Sequence, residues 1–424
     1  MTYIDLVEKI EQMRRFGKAS GYEVSTMLLK ALDNPEKDLD VIHIAGTNGK
    51  GSTAAFLSSI LKSREKKVGL FTSPHLVTFR ERIQINGDLI SEEDVLRLGQ
   101  KVLEAADGMP LDVTMFDITL GIALLYFKEQ KVDVVVLETG LGGAKDSTRA
   151  LCHPPKVAVI TNIGFDHTQV LGNTLTEIAE NKAGIIRPGC FAVIAEMAEE
   201  ASKVLEDVCK SVEVSYGFSK EVSLDENLPL GLLGEYQREN AKNAVLAAGV
   251  YLYGSSFWEK IQTSEHGDFL GFLEKNEKEA FLSGLENARH PGRMEILSKD
   301  PFVLVDGAHN PQGVFALSKS LKSLYPKEKF TFVVGVLADK DYGHMMEEMI
   351  PIAEEFLTVT VDSKRALQGE QLAEYLKNKG AKASAASSME EVFSGKREGK
   401  TVVFGSLYFV GDVIQYFTEG NKAK

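Results

Sequence analysis

The stretch Val41-Ile42-His43-Ile44-Ala45-Gly46-Thr47-Asn48-Gly49-Lys50-Gly51-Ser52 decides the architecture of the first half of the chain. Residues 41–45 have the apolar pattern of a buried strand, and a helical pattern begins near Thr53. Glycines between a strand and a helix allow backbone amides to converge on an anion, the helix N-terminus adds its dipole, and a lysine neutralises the outer phosphates. The stretch therefore predicts a phosphate-binding loop in which Lys50 has that last role.

One position of this loop departs from the general pattern, in which the lysine is followed directly by serine or threonine. Gly51 stands between Lys50 and Ser52 in this chain. A glycine-rich turn with a solvated lysine is the alternative interpretation. The strand before the loop and the helix after it favour the phosphate loop.

Outward from this loop, short apolar runs alternate with helical patterns through most of the chain, which predicts an α/β fold with largely parallel sheets. Strands are predicted at residues 41–45, 68–71, 132–137, 157–161, 191–195, 302–305, 330–336, 356–361 and 401–404. Helices are predicted at residues 53–63, 174–183, 199–210, 312–324 and 371–377.

Proline and glycine interrupt this alternation at Arg289-His290-Pro291-Gly292-Arg293, after which it starts afresh. The pattern predicts an N-terminal P-loop ATPase-like domain with a mostly parallel sheet over residues 1–288 and an interdomain linker over residues 289–295. A smaller C-terminal Rossmann-like α/β domain is predicted over residues 296–424. The length of 424 residues also favours two domains.

The composition limits the partners of the chain. Hydrophobic residues make up 44% and charged residues 26%, which is typical of a soluble globular protein. The formal charge of -13 argues against a nucleic-acid or anionic-membrane surface, because phosphate-backbone binding needs a basic field. Cys152, Cys190 and Cys209 lack metal-ligand spacing and are predicted to be reduced thiols. Without a signal peptide or a membrane-spanning run, the protein is expected in the cytoplasm.

Acidic and imidazole side chains follow three of the predicted strands. Glu138 ends the apolar run at 134–137, Asp166-His167 follows the strand at 157–161, and Asp306-Gly307-Ala308-His309 follows the strand at 302–305. The carboxyl ends of neighbouring parallel strands lie side by side, and an acid at this edge holds magnesium in nucleoside triphosphatases. Glu138 is therefore the main predicted metal ligand, and a charged strand-end residue that faces water is the alternative.

Two basic residues carry weaker signals. Lys182 lies in a helical segment at residues 177–185, and its position alone indicates a surface lysine or a salt-bridge partner. Arg293 lies in the interdomain stretch. There its guanidinium could reach a nucleotide phosphate as an arginine finger does, or only join two domains by a salt bridge.

Together, the motifs of the chain form an ordered series over nearly its whole length. Besides the phosphate loop, the series contains Thr72-Ser73-Pro74-His75-Leu76, Glu81-Arg82-Ile83, Glu138-Thr139-Gly140-Leu141-Gly142-Gly143 with Asp146, Asp166-His167, Lys182-Ala183-Gly184-Ile185, Tyr236-Gln237-Arg238-Glu239-Asn240-Ala241, Pro291-Gly292-Arg293-Met294-Glu295, Asp306-Gly307-Ala308-His309-Asn310-Pro311, Asp339-Lys340-Asp341, Arg365-Ala366 and Gly405-Ser406. This series resembles folylpolyglutamate synthase, including the bacterial forms that also act as dihydrofolate synthase, within the Mur ligase superfamily. The extra glycine of the phosphate loop is a feature of the family's own loop.

The resemblance implies a role for each matching residue. The implied catalytic residues are Lys50, Glu138, His167, Lys182 and Arg293. Nucleotide contacts are implied for Gly46, Thr47, Asn48, Gly49, Lys50, Gly51, Ser52, Gln237, Asn240, Arg293, Asp306 and His309. Two magnesium ions are implied, with Ser52, Ser73, Glu138, His167 and a carbamylated Lys182 as ligands. Substrate contacts are implied for His75, Arg82, Phe116, Asp146, Arg365 and Ser406.

The chain departs from its relatives near the expected folate side. Ala144 and Lys145 follow the paired glycines where an arginine and a large apolar residue are common, and Arg149 replaces a usual asparagine. Phe116-Asp117 is a variant of a phenylalanine-glutamate motif, with an acid one carbon shorter. These changes bear on the preferred pterin and on glutamate chain length more than on the type of reaction.

The function that the resemblance implies is ATP-dependent addition of L-glutamate to the γ-carboxylate of a tetrahydrofolate through an acyl phosphate, with dihydropteroate as a second candidate acceptor. The nearest alternative is a Mur-type ligase of a cell-wall precursor, and an alternative from another class is a nucleotide-dependent switch that catalyses no ligation. The partners expected are ATP, magnesium, a folate and L-glutamate, and the chain is expected to be a monomer.

Overall fold

The buried apolar runs of the chain fold into two sheets in the computed structural model. The structure describes residues 1–14, 21–393 and 399–422. By their contacts these residues divide into a first unit, residues 1–231 with 238–289, and a second unit, residues 232–237 with 290–424. In the described ranges, no helix has both the length and the apolar character needed to cross a membrane.

The first unit contains an eight-stranded sheet in the order β4-β3-β2-β5-β1-β6-β7-β8. The strands are β1 Val41–Ala45, β2 Val68–Phe71, β3 Ile83–Ile85, β4 Asp88–Leu89, β5 Val134–Glu138, β6 Val157–Ile160, β7 Phe191–Ile194 and β8 Tyr216–Phe218. All neighbours from β2 to β8 in this order pair in parallel, whereas β3 and β4 form an antiparallel edge. The prediction of a mostly parallel sheet is therefore confirmed.

The register of the central strands brings polar residues to one edge of this sheet. The phosphate-loop strand β1 lies between β5 and β6, with Ile44 opposite Glu138 and Ala45 opposite Ile160. All five residues of β1 are buried, as expected for a strand covered on both faces. The phosphate loop, Glu138 and the segment after β6 consequently start from the same level of the sheet.

Helices cover this sheet. They are α1 Tyr3–Gln12, α2 Glu23–Ala31, α3 Lys50–Ser63, α4 Glu92–Ala106, α5 Met115–Glu129, α6 Thr168–Leu171, α7 Leu175–Ala183, α8 Glu199–Ser211, α9 Tyr236–Tyr253, α10 Ser256–Thr263 and α11 Lys275–Asn287, with 3-10 helices at Phe79–Arg82, Ser147–Ala150, Ser219–Glu221, Glu265–Gly267 and Leu270–Phe272. Helix α3 begins at Lys50, earlier than the predicted Thr53, because the left-handed residue Gly49 caps it directly. By the contact division, the first two residues of α9 belong to the second unit and the rest to the first.

The second unit has a six-stranded sheet in the order β13-β12-β11-β14-β10-β9. Its strands are β9 Glu295–Lys299, β10 Phe302–Val305, β11 Phe330–Val334, β12 Ala353–Thr358, β13 Ala383–Ala385 and β14 Lys400–Phe404; its helices are α12 Pro311–Leu324, α13 Tyr342–Met349, α14 Gly369–Asn378, α15 Met389–Phe393 and α16 Leu407–Lys422, with a 3-10 helix at Ile350–Ile352. Among these six strands, β9 pairs antiparallel with β10, and the other pairs are parallel. The predicted α/β class is confirmed here as well. The strand predicted at 356–361 is β12, residues 353–358. The apolar residues Val359 and Val361, on which the later predicted end rests, are buried in the connection that follows.

Candidate active site

The phosphate loop adopts backbone conformations that require two of its glycines. Gly46 has φ +156° and Gly49 has φ +84°. A Cβ atom on Gly46 would lie 1.7 Å from Oγ1 of Thr161, and one on Gly49 would lie 2.3 Å from Oδ1 of Asn240. Both positions therefore need glycine, and the second contact places Asn240, a predicted nucleotide residue, directly beside the loop.

The segment after β6 fixes the phosphate loop by a set of hydrogen bonds. Asn162 accepts the backbone N–H of Thr47 on its carbonyl at 2.8 Å and that of Asn48 on its side-chain oxygen at 2.7 Å. The Thr47 hydroxyl donates to the carbonyl of Gly164 and accepts the N–H of Gly164, both at 3.0 Å. Thr161 donates to the carbonyl of Asn48 at 2.7 Å. Sequence reasoning missed Asn162, because only the three-dimensional structure shows that its side chain reaches the loop.

Two lysines converge on the same loop. Lys50 Nζ donates to the carbonyls of Gly46 at 3.2 Å and Thr47 at 3.4 Å, and Lys182 Nζ donates to the carbonyl of Gly46 at 2.7 Å. The side chain of Lys182 is only 3% exposed. Burial, and secondly the charge of Lys50, lower the pKa of Lys182 from 10.5 to about 7. Lys182 is thus not a surface lysine, and no ion pair of it occurs in the part of the chain that the structure describes. Its lowered pKa makes the neutral amine accessible near neutral pH.

Glu138 and Ser73 also meet at this edge. Glu138 ends β5 and is 4% exposed, and its Oε2 accepts the backbone N–H of Ser73 at 3.0 Å. The adjacent hydroxyl of Thr139 is buried and has no hydrogen-bond partner among the described residues. Ser52 is buried in the first turn of α3. The edge therefore offers carboxylate and hydroxyl oxygens around the phosphate loop.

These oxygens fit a magnesium ion better than a transition metal. In residues 1–14, 21–393 and 399–422 no group of three or more His, Cys, Asp and Glu side chains is arranged to hold a metal. Magnesium prefers oxygen, usually keeps several waters, and is bound by one or two carboxylates together with substrate phosphates. One carboxylate, nearby hydroxyls and the unpartnered Thr139 oxygen beside a phosphate loop agree with that mode of binding.

His167 lies on the segment that the phosphate loop holds. It has φ 49° and precedes the short helix α6, and its Nε2 is 3.9 Å from Oδ1 of Asp166. Its side chain is 44% exposed. The hydrogen bonds of residues 161–164 to the loop fix the start of this segment, and His167 follows three residues after Gly164.

On the expected folate side, Phe116 and Asp146 shape the glycine loop that follows Glu138. The Phe116 ring lies edge-on to Phe71 with centroids 5.5 Å apart, and a Cβ atom on Gly140 would come within 2.8 Å of it. Asp146 accepts the N–H of Leu141 at 2.7 Å and two hydrogen bonds from Thr148. Burial raises the pKa of Asp146 above its ordinary value. Asp146 therefore organises the loop.

The loop after β2 is a second small network. Arg82 Nε donates to Nδ1 of His75 at 2.8 Å, and the other ring nitrogen of His75 lies 3.4 Å from Oε1 of Glu11. The Glu81 carboxylate accepts the backbone N–H groups of residues 76, 77 and 78. The structure thus brings the predicted substrate residues His75 and Arg82 into contact, and Glu81 fixes the turn between them.

In the second unit, Asp306 is a buried carboxylate with three donors. It is 3% exposed and accepts the N–H groups of Met294 at 2.9 Å and Ala308 at 2.8 Å and the hydroxyl of Tyr236 at 3.0 Å. Burial raises its pKa, and the neighbouring Arg293 opposes that shift. Asp306 therefore holds the start of the segment that carries His309, whose Nδ1 lies 2.8 Å from the carbonyl of Gly307.

Three other predicted residues of the second unit lie in different segments: Arg293 just before β9, Arg365 between β12 and α14, and Ser406 after β14. Ser406 follows β14, is buried, and its hydroxyl has no partner among the described residues. Arg293 Nη1 donates to the carbonyl of Gly292 at 3.2 Å. Arg365 is half-exposed and donates to Asp339 at 3.1 Å. The unpartnered hydroxyl of Ser406 is the feature of this group that most needs a ligand, because a buried polar group without a partner is costly.

Two domain families match the chain. Residues 44–250 match the Mur ligase middle domain, and residues 292–406 match the glutamate ligase domain of Mur ligases. The phosphate loop, Glu138 and Lys182 lie in the first match, and Asp306 and Ser406 lie in the second. The fold and the site define an enzyme of the Mur ligase class.

Two relatives that align over almost their whole length identify the family within this class. The chain is 35% identical over 443 residues to dihydrofolate synthase/folylpolyglutamate synthase of Bacillus subtilis (strain 168), covering 97% of this chain and 98% of that protein. It is 29% identical over 446 residues to folylpolyglutamate synthase of Lacticaseibacillus casei, covering 99% and 100%. The chain therefore belongs to the dihydrofolate synthase/folylpolyglutamate synthase family, and the predicted family and ligase class are confirmed.

Solved structures agree with this assignment. The structure of E. coli FolC in complex with DHPP and ADP superimposes with a TM-score of 0.84 at 28% identity and covers 99% of both chains. That of Thermotoga maritima folylpolyglutamate synthase gives 0.82 at 32% identity, with 99% and 97% covered. These relatives do not favour the alternative of a ligase for cell-wall precursors.

Proposed function

We propose that this protein uses ATP to join L-glutamate to the γ-carboxylate of a folate. The observation that carries the proposal is the convergence of Lys50 and Lys182 on one phosphate loop, with the Glu138–Ser73 pair on the strand beside the one that leads into this loop. Relatives have been solved in complex with ADP, AMPPCP and folate, which supports ATP and a folate as substrates of this chain. L-glutamate as the amine, a monomeric state and a cytoplasmic location are part of the proposal.

The reaction needs activation because a carboxylate has no leaving group that an amine can displace. In the proposed first step, a γ-carboxylate oxygen attacks the γ-phosphorus of ATP, the bond to the bridging oxygen breaks, and ADP leaves. The product is an acyl phosphate. In the second step, the neutral amine of glutamate attacks the acyl carbon, inorganic phosphate leaves, and the nitrogen loses a proton.

The phosphate loop would stabilise the charge that spreads over the transferring phosphoryl group. Fixed backbone N–H groups and an ammonium group act strongly here because they need no reorganisation during the step. Asn162 accepts two N–H groups of the loop and the N–H of Gly164 donates to Thr47, and these bonds hold the loop in place so that its remaining donors are oriented before the nucleotide arrives. Lys50 is proposed to exchange its present carbonyl partners for the outer phosphates.

Magnesium would be held by Ser52, Ser73, Glu138, His167 and a carbamylated Lys182. When bound, it would neutralise phosphate charge and polarise the reacting oxygens. The carbamate would form when the neutral amine of Lys182 attacks carbon dioxide and loses a proton. The lowered pKa of Lys182 supports this step, because it makes the neutral amine available near pH 7. The carbamate of Lys182 would carry a negative charge that the positive charge of Lys50 attracts, whereas the ammonium form of Lys182 is repelled by Lys50.

The remaining predicted residues keep their proposed roles. Asn240 beside Gly49 supports a nucleotide contact. Nucleotide contacts are also proposed for Gln237, Arg293, Asp306 and His309. The following residues are proposed to contact the folate or the amino acid: His75, Arg82, Phe116, Asp146, Arg365 and Ser406. The unpartnered hydroxyl of Ser406 supports a contact to the amino-acid substrate.

The test is ADP formation by the purified protein with magnesium, ATP, bicarbonate and glutamate. Tetrahydrofolate and dihydropteroate are added in parallel, and the product mass is followed. A gain of one glutamyl group on tetrahydrofolate is expected, and a gain on dihydropteroate as well would add the dihydrofolate synthase activity. ADP formation that needs no glutamate would indicate the switch, and no product from either acceptor would contradict the proposal.

A further inference from the structure

Asp117 is a buried carboxylate to which the proposed reaction gives no task. It is the third residue of α5, and its side chain is 3% exposed. Within α5 it completes the capping box with Thr114, which is a common way to begin a helix. An exposed aspartate serves that purpose equally well, so capping alone does not explain why this one is buried.

The Asp117 carboxylate joins three elements. Oδ2 accepts the N–H of Thr114 at 2.8 Å and its hydroxyl at 2.6 Å. Oδ1 accepts the hydroxyl of Ser147 at 2.6 Å and that of Ser25. A carboxylate has about four acceptor sites, and all are used here. Through them α2, the start of α5 and the 3-10 helix Ser147–Ala150 are held together.

A second contact joins two of the same elements without Asp117. The Arg149 guanidinium lies over the ring of Tyr22, the residue that precedes α2, at 5.3 Å from its centroid. Arg149 Nε also donates to the carbonyl of Gly184 at 2.6 Å. The 3-10 helix is therefore fixed against α2 at two points, and also against the end of the segment that carries Lys182.

The Asp117 network directly flanks two proposed folate contacts. Phe116 precedes Asp117 in α5, and its ring covers Gly140, two residues after Glu138. Asp146 precedes Ser147 and caps the 3-10 helix. A change in the Asp117 carboxylate would therefore move Phe116 and Asp146 together. Its acceptor positions are taken by Thr114, Ser25 and Ser147, and none of these three residues belongs to the phosphate loop.

We propose that Asp117 is a positioning residue that sets the affinity of this enzyme for the folate and leaves its affinity for ATP unaffected. The inference rests on the proposed function, because it takes the Phe116 and Asp146 side of the site to receive the folate. Asp117 fits the two serines because its short side chain keeps the carboxylate close to the backbone of α5.

The test is a comparison of Michaelis constants for folate, ATP and glutamate in Asp117→Asn, Asp117→Glu and wild type. The asparagine keeps the shape but replaces one acceptor oxygen with an NH2 group, so a KM for folate about tenfold higher is expected, the size typical of a lost hydrogen bond to a charged group. The KM for ATP should stay within about twofold of wild type. Asp117→Glu keeps the carboxylate but places it one carbon further from the backbone of α5, so it should recover only part of the folate affinity that Asp117→Asn loses.

Two further variants make the outcome decisive. Ser147→Ala removes one donor by a milder change and should raise the KM for folate in the same direction. Asp5→Asn removes the corresponding capping-box acid of α1, which is exposed, and should leave all three constants unchanged.

The outcomes separate this inference from the proposed function. Unchanged constants in Asp117→Asn, or a parallel rise of the KM values for folate and ATP with a lower melting temperature, would overturn the positioning role while wild-type ligation stands. A wild-type protein without glutamate ligation would overturn the proposed function and this inference with it.

Discussion

At the scale of single residues, the site depends on two lysines that share one carbonyl. Lys50 and Lys182 both donate to Gly46, although only Lys182 is almost fully buried. Their positive charges repel each other, which contributes to the low pKa of Lys182. A phosphate near Lys50 would reduce this repulsion, and so would loss of the proton from Lys182.

Lys50→Ala should reduce the turnover number by on the order of a hundredfold, because removal of one preorganised charge contact commonly has an effect of that size. The measurement is steady-state ADP formation with folate and glutamate in excess. Lys62→Ala is the matched control, since Lys62 lies in the last turn of the same helix and contacts an exposed carbonyl. Near-normal turnover in Lys50→Ala would remove this lysine from the proposed mechanism.

Lys182 also predicts a pH dependence of stability. Its pKa is about 7 in the folded protein and 10.5 as the ordinary value, so between these pH values the unfolded chain binds a proton that the folded chain lacks. The free energy of unfolding should therefore rise with pH in this window, by at most about 1.4 kcal/mol per pH unit, and the full cost of the buried lysine should be present below pH 7.

The measurement is urea unfolding of wild type and Lys182→Met in buffers free of carbon dioxide. The stability advantage of the methionine variant should be largest below pH 7 and should shrink towards pH 10. An advantage independent of pH would show that Lys182 stays protonated in the folded protein.

At the scale of elements, the end of α7 packs closely on the loop after Glu138. A Cβ atom on Gly184 would lie 2.2 Å from Cα of Ala144, and one on Gly143 would lie 2.6 Å from the carbonyl oxygen of Lys182. These contacts involve backbone atoms, which cannot rotate away. The position of Lys182 therefore depends on glycines in two segments that are far apart in sequence.

Gly184→Ala tests this packing. Gly184 has φ -58°, which alanine adopts freely, so any loss must come from the collision with Ala144. A loss of about 1 to 3 kcal/mol in the free energy of unfolding is expected, as for other overpacked sites, together with lower turnover. In Gly343→Ala, a helical control in α13 with a side-chain hydroxyl as its nearest neighbour at 3.3 Å, stability should be unchanged or higher. Equal effects in the two variants would contradict the packing argument.

The elements show which parts of the fold could be predicted. The strand, glycine loop and helix at residues 41–63 could be predicted because hydrophobic periodicity and glycines act locally. The antiparallel strands β3, β4 and β9 were not predicted, because short edge strands of mixed polarity carry little pattern. Their positions depend on pairing with strands elsewhere in the chain.

The same division applies to the site. Lys50 and Glu138 follow from local motifs, whereas Lys182 was recognised as more than a surface lysine only through the resemblance. Asn162 was missed because its partner Asn48 lies 114 residues away, and Ser25 was missed because Asp117 lies 92 residues away. Contacts of this kind are set by tertiary packing, and a single sequence carries no periodic signal for them.

At the scale of the whole molecule, the two units are not consecutive in sequence. Residues 232–237 group with residues 290–424, and Tyr236 in that short segment donates to the buried Asp306. The predicted domains, residues 1–288 and 296–424, stay a prediction. They assign ATP, folate and glutamate contacts to stretches of sequence, whereas the contact division groups residues by packing alone. The single tryptophan, Trp258, lies in the first unit and is buried.

Tyr236→Phe should lower the stability of the second unit by about 1 to 3 kcal/mol, because Asp306 loses one of its three donors while staying buried. Amide hydrogen exchange in β10 and β14 measures this loss, and the unfolding transition followed by Trp258 fluorescence should move less. Tyr251→Phe is the control, because its hydroxyl contacts the exposed carboxylate of Asp40. Equal shifts of both signals would show that the two units unfold as one.

The early position of Tyr236 has a consequence for synthesis on the ribosome. Residues 238–289 are made between this segment and the rest of its unit, and Asp306 is made later still. At a translation rate of roughly 5 to 20 residues per second, Tyr236 is synthesised several seconds before Asp306. The nascent chain can therefore complete the first sheet before residues 232–237 have their packing partners. These six residues join their own unit only after the strands of that unit have been synthesised.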